Sequence, residues 1–130
     1  MMEKVNYLVG NSDFSLNPFE PFSKEACVFL NNLSNELNSL KNIKDYPDLK
    51  ALSFWCRNKN ISKLKKNFNL EKNRLGLGVV FHITPANIPT NFVYSLIFGL
   101  LTGNSNIVKV PSQKFEQVSI ICLLIKKILK

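Results

Sequence analysis

Residues 75–108 contain no charged side chain, yet two prolines and two asparagines interrupt the run near its middle. A membrane-spanning helix needs about 20 consecutive apolar residues. Pro85, Asn87, Pro89 and Asn91 deny the stretch that length. After Phe92 only about ten apolar residues precede Gly103 and Asn104, the size of a buried core helix. The stretch must therefore lie inside a protein as short pieces separated by turns. Residues 77–83 (Leu-Gly-Val-Val-Phe-His-Ile) are mostly apolar and rich in β-branched and aromatic types. That predicts a strand buried on both faces, as in a parallel sheet. Residues 84–89 read as a loop. Thr90 is expected to cap a helix carrying Phe92, Val93, Leu96, Ile97, Leu100 and Leu101, and Gly103 to stop it. Residues 106–110 (Asn-Ile-Val-Lys-Val) predict a second strand, ended by Pro111. A last helix, from about residue 115, would place Val118, Ile121, Cys122, Ile125 and Ile128 on one side.

The sequence before residue 75 has a different texture. Ala26, Phe29, Leu30, Leu33, Leu37 and Leu40 recur at helical spacing, which predicts an amphipathic helix over 21–40. Residues 42–47 form a polar break. A second helix is expected over 47–68, begun by Pro47 and ending among Lys63, Lys65 and Lys66, where cations suit the helix dipole. The asparagines at 58 and 60 could break it in two. Residues 1–20, with few large aliphatics, are expected to be loosely tied down. The organisation predicted is thus a loose segment (1–20), a helical region (21–74) and an α/β unit (75–130).

The element order is helix, helix, then strand–helix–strand–helix, the parallel crossover of an α/β protein. Two strands do not complete a parallel sheet with both faces covered. The chain is therefore expected to be the incomplete front piece of an α/β nucleotide-cofactor enzyme, too short to be a whole catalyst.

The formal net charge is +8, with lysines gathered over 41–74 and 126–130. This favours anionic partners. The basic residues punctuate helix surfaces and are not interleaved with aromatics, which argues against nucleic-acid binding. Three cysteines (Cys27, Cys56, Cys122) lie far apart, and His82 is the only histidine. Neither a disulfide framework nor a metal site is expected, and a reducing cytoplasm suits the thiols.

Ligands of parallel sheets bind at the carboxyl ends of the strands. The two strands would end into Thr84-Pro85-Ala86-Asn87-Ile88-Pro89 and Lys109-Val110-Pro111-Ser112, so both polar loops should land on one rim. Gly76 and Gly78 precede the first strand and do not form a dinucleotide fingerprint, and no P-loop pattern occurs. His82, in mid-strand, reads as a packed, hydrogen-bonded residue more readily than as a base.

The 77–91 segment, followed by Gly-Leu-Leu-Thr-Gly-Asn-Ser-Asn-Ile-Val-Lys-Val-Pro-Ser over 99–112, resembles the aldehyde dehydrogenase superfamily. More closely, it is similar to the LuxC-type fatty acyl-CoA reductases, the long-chain acyl-protein thioester reductases of bacterial luminescence and their non-luminous relatives. Residues 51–57 (Ala-Leu-Ser-Phe-Trp-Cys-Arg) resemble that family's helical N-terminal region. Val110 between the lysine and Pro-Ser, and Ala86 where many aldehyde dehydrogenases carry an aromatic, point away from simple aldehyde oxidation.

The resemblance implies a Rossmann-like nucleotide-binding sheet of the aldehyde dehydrogenase fold and NADPH-dependent reduction of an acyl thioester to fatty aldehyde. It implies that Asn87 is an oxyanion-hole donor, against the plainer reading of an ordinary turn residue. It implies that Lys109 meets the adenosine ribose or a 2′-phosphate beside Ser112, against that of a solvated lysine. Thr84, Pro85, Ala86 and Pro111 would help line the cofactor. The partners implied are fatty acyl-CoA or an acyl-protein thioester, acyl-transfer or synthetase proteins, and a second copy of the chain. None of the three cysteines matches the family's acylated cysteine. A non-catalytic remnant that binds a partner is the other reading.

Overall fold

A computed structural model describes residues 4–13, 17–68 and 73–130. Helix α1 spans Lys24–Asn38, and Ser23 begins it by accepting a hydrogen bond from the Ala26 amide at 3.3 Å. A single 3-10 turn, Ile43–Asp45, fills the expected polar break. Helix α2, Pro47–Cys56, starts on its proline, and α3 follows at Asn58–Asn67.

The long helix expected over 47–68 is thus two, and the break falls at Arg57, just before the asparagines. Arg57 is extended (φ −64°, ψ 147°). Side chains hold it there. Asn31 of α1 accepts from the Asn58 amide at 3.0 Å, and Asn60 donates to the Trp55 carbonyl at 2.7 Å. These bonds satisfy backbone groups that a helix end leaves open.

Strand β1 is Val79–Ile83, helix α4 is Asn91–Leu101, strand β2 is Ser105–Lys109 and helix α5 is Glu116–Ile128. The strands pair in parallel, with Val79 opposite Ser105 and Ile83 opposite Lys109. A mixed helix–strand unit with a two-stranded parallel sheet agrees with the α/β class. Thr90 occupies the position before α4, but its hydroxyl makes no capping bond. Its carbonyl instead accepts from Val93 and Tyr94. Gly103 ends α4 at φ +86°, a conformation that costs an ordinary residue about 1–2 kcal/mol.

The core lies among the helices. Leu30, Leu33 and Leu37 of α1, Leu49 and Leu52 of α2, Ile61 of α3, Val93 and Ile97 of α4 and Ile121 of α5 are essentially inaccessible. Each such side chain contributes about 1.5–3 kcal/mol through burial. Small polar groups let α1 and α2 approach closely. Ser34, itself buried, donates to the Ser53 carbonyl at 2.6 Å. Trp55 meets Tyr94 and Phe98 edge-on, joining α2 to α4.

The chain around Phe19 is tied across this unit. Phe19 donates to Gly103 and accepts from Gly76, while Phe22 donates to Leu101. Phe22 also packs against Phe68, with ring centroids 5.4 Å apart and the planes tilted by 55°.

The sheet departs from expectation on one side. Val80 and His82 face α4, but Phe81 (59% exposed) and Ile83 (70%) point the other way into the open. Burial on both faces requires a layer on each, and α4 supplies one.

Candidate functional site

Because Ile83 stands opposite Lys109, the two strands stop level with each other. Residues 84–90 leave β1 and residues 110–115 leave β2 from one rim, and α4 and α5 each begin where those loops end. Two helix N-termini thus follow the rim loops, and such ends favour negative charge.

The structure brings the candidate residues onto that rim in different settings. Thr84 and Pro111 are half-buried, whereas Pro85, Ala86, Asn87, Lys109 and Ser112 are exposed. The Asn87 amide and the Lys109 ammonium have no partner among the described residues, so both are free to meet a ligand. Thr84 Oγ1 is a buried polar atom with no hydrogen-bond partner. Leaving such a group unpaired costs about 1–3 kcal/mol, so a ligand group able to reach it would gain by pairing.

Immediately below the rim, His82 bridges the layers. Its Nδ1 lies 2.7 Å from Ser95 Oγ on α4, and its Nε2 lies 2.8 Å from Asn106 Oδ1 on β2. Asn106 Nδ2 donates to the Asn104 carbonyl at 2.7 Å. Its oxygen therefore faces the imidazole, whose Nε2–H donates, leaving Nδ1 to accept from Ser95. Both ring nitrogens are engaged, which accords with a packed histidine. A Cβ on Gly99 would strike Asn106 Oδ1 and stand 2.9 Å from His82 Nε2, so this glycine lets α4 approach the pair. Sequence reasoning missed Ser95 and Asn106 as its partners. The available signals were a serine inside the apolar run 92–101 and an asparagine opening the second strand.

The cysteines lie in helices. Cys56 and Cys122 are buried and Cys27 is half-buried. Burial pushes the Cys56 thiol up to about 12. Burial also raises Cys27 and Cys122, opposed by Lys65 and Lys126 respectively. Burial thus favours the protonated, less nucleophilic form of all three thiols.

Two shallow clefts lie elsewhere. One, of about 260 Å³, is lined by Lys24, Cys27, Val28, Asn31 and Asn58, and the other by residues of α5 and Leu8. Among the described residues no group of three metal-binding side chains occurs, and no helix is long and apolar enough to cross a membrane.

No curated protein and no solved structure matches the chain. The family model described as acyl-CoA reductase (LuxC) matches residues 57–128. That span runs from the break before α3 to the last residue of α5 and takes in both rim loops. It covers more than half of the sequence, and the chain belongs to the LuxC acyl-CoA reductase family.

Proposed function

We propose that the chain is the front part of an NADPH-dependent reductase that turns a fatty acyl thioester into an aldehyde. In this reading residues 1–20 lead into a helical region (21–74), and 75–130 begin a Rossmann-like nucleotide-binding domain of the aldehyde dehydrogenase type. The observation that carries it is the level ending of β1 and β2, with Asn87 and Lys109 both free on one rim.

The residues present fit a dinucleotide. Lys109 offers an ammonium to ribose hydroxyls or a 2′-phosphate, and Ser112 offers a hydroxyl two positions beyond Val110. The unpaired Thr84 hydroxyl supplies a further polar contact, Pro85 and Ala86 line the adjoining loop, and Pro111 turns the chain after β2. NADPH, when bound, supplies the hydride. Asn87 acts on the acyl carbonyl. When a thiolate attacks, the carbonyl electrons move to oxygen, and the neutral amide of Asn87 donates to that oxyanion without needing to reorganise. Burial raises the thiols of Cys27, Cys56 and Cys122, and none of the three matches the acylated cysteine of the family this reading draws on. In this reading the attacking cysteine belongs to a longer chain or a second polypeptide. Acyl-CoA or an acyl-protein thioester, acyl-transfer or synthetase proteins, and a second copy are the partners of this reading, which places the enzyme in the cytoplasm.

The test is made in a complete reductase carrying this segment. Asn87→Ala should lower single-turnover acylation on the order of a hundredfold to a thousandfold with cofactor affinity little changed. Lys109→Ala should raise KM for NADPH more than for NADH and leave acylation nearly intact. Normal acylation with weakened cofactor binding in Asn87→Ala would overturn the oxyanion role.

A further inference from the structure

Helix α5 buries Val118, Ile121, Cys122 and Ile125 in the core. On its outward side Ser119, Leu123 and Lys126 recur at helical spacing, and Lys130 lies two residues past the helix end. Leu123 is 65% exposed although it is a leucine in the middle of a helix. Leu8, from the N-terminal segment, joins it. Leu8, Val118, Ser119, Cys122, Leu123 and Lys126 line an open, mainly apolar cleft of about 290 Å³. Val5 and Tyr7, beside Leu8 in the chain, are exposed too. Lys126 borders the cleft, Lys130 follows the end of the helix that lines it, and Lys4 precedes Val5 in the exposed N-terminal segment. Lys127 is held by Glu36 at 2.6 Å, whereas Lys126 and Lys130 make no ion pair among the described residues. After Glu116 the sequence contains no acidic residue.

We infer that this face docks on an anionic lipid surface. Leu8 and Leu123 enter the boundary between headgroups and acyl chains, and Lys4, Lys126 and Lys130 meet the lipid anions. The lysines decide between occupants. Protein interfaces are depleted in lysine, whereas apolar anchors flanked by lysines are what an interfacial lipid contact requires. Long stems let the ammonium groups reach the headgroups while their methylenes lie against apolar atoms. The open sheet face is a different surface. Its apolar residues sit on strands whose free edges suit further strands. The inference does not depend on the roles given to Asn87 and Lys109.

Vesicle flotation tests it on the whole chain, because aggregates that would sediment do not float. The chain should float with mixed phosphatidylserine–phosphatidylcholine vesicles and far less with phosphatidylcholine alone, and added salt should weaken binding. Lys126→Glu/Lys130→Glu should lower partitioning on the order of thirtyfold or more, from the contribution of each lysine near an anionic surface. Leu123→Asp should also reduce it severalfold, while Phe81→Asp on the sheet face should leave it unchanged. Equal binding to neutral and anionic vesicles would overturn the inference. So would binding lost in Phe81→Asp and retained in Leu123→Asp.

Discussion

Cys56 sits at the end of α2 with no accessible surface, and burial pushes its thiol from 9.0 to about 12. The folded chain then holds a proton that the unfolded chain has released. The stability this contributes is complete below about pH 9 and is lost as pH rises towards 12. Thermal unfolding followed by circular dichroism should show Tm falling over that window, and less steeply in Cys56→Ala. Alkylation below that range should reach half-buried Cys27 first and Cys56 last, because the thiolate is the reactive form. Much at this scale was legible from residue type: three scattered cysteines read as thiols outside any disulfide framework, and His82 as a bonded residue. The identities of its partners were not legible. Ser95 and Asn106 lie 13 and 24 positions away in sequence, and only the strand–helix–strand crossover brings them to the ring.

Helices and strands followed from apolar spacing where one element's own side chains decide its form, as in α1 and α5. The reading was less exact where a neighbour decides. The asparagines at 58 and 60 marked the break after α2, but the bond that Asn31 of α1, remote in sequence, accepts from the Asn58 amide was not legible. Thr90 has the composition of a cap, yet the turn before α4 uses its carbonyl and not its hydroxyl. The packing of α4 against β2 rests on the bare face at Gly99. Gly99→Ala should push α4 away from Asn106 and His82, destabilising the chain by about 1–3 kcal/mol as overpacking does. Urea unfolding measures this. A loss within about 0.5 kcal/mol, the range of neutral surface changes, would mean that the contact yields easily.

For the molecule as a whole, the helical core is well buried while the sheet shows Phe81 and Ile83 on its open face. The order of helices followed by strand–helix–strand–helix was legible in the sequence. The apolar strand 77–83 was expected to be buried on both faces, whereas α4 covers one face and leaves Phe81 and Ile83 open on the other. Exposed strand edges and apolar faces promote association. The chain should therefore form large species by light scattering, and Phe81→Lys/Ile83→Lys should shift it towards the monomer without loss of helical circular dichroism. The rim loops were legible too, since topology alone sends both strand ends to one side. Whether that rim takes the nucleotide is decided by titrating the isotope-labelled Phe81→Lys/Ile83→Lys chain with NADPH, followed residue by residue by NMR. Saturable shifts should concentrate at Thr84, Ala86, Asn87, Lys109 and Ser112 and weaken in Lys109→Ala. Shifts confined to the α5 lysines, or unchanged by Lys109→Ala, would rule out cofactor binding there.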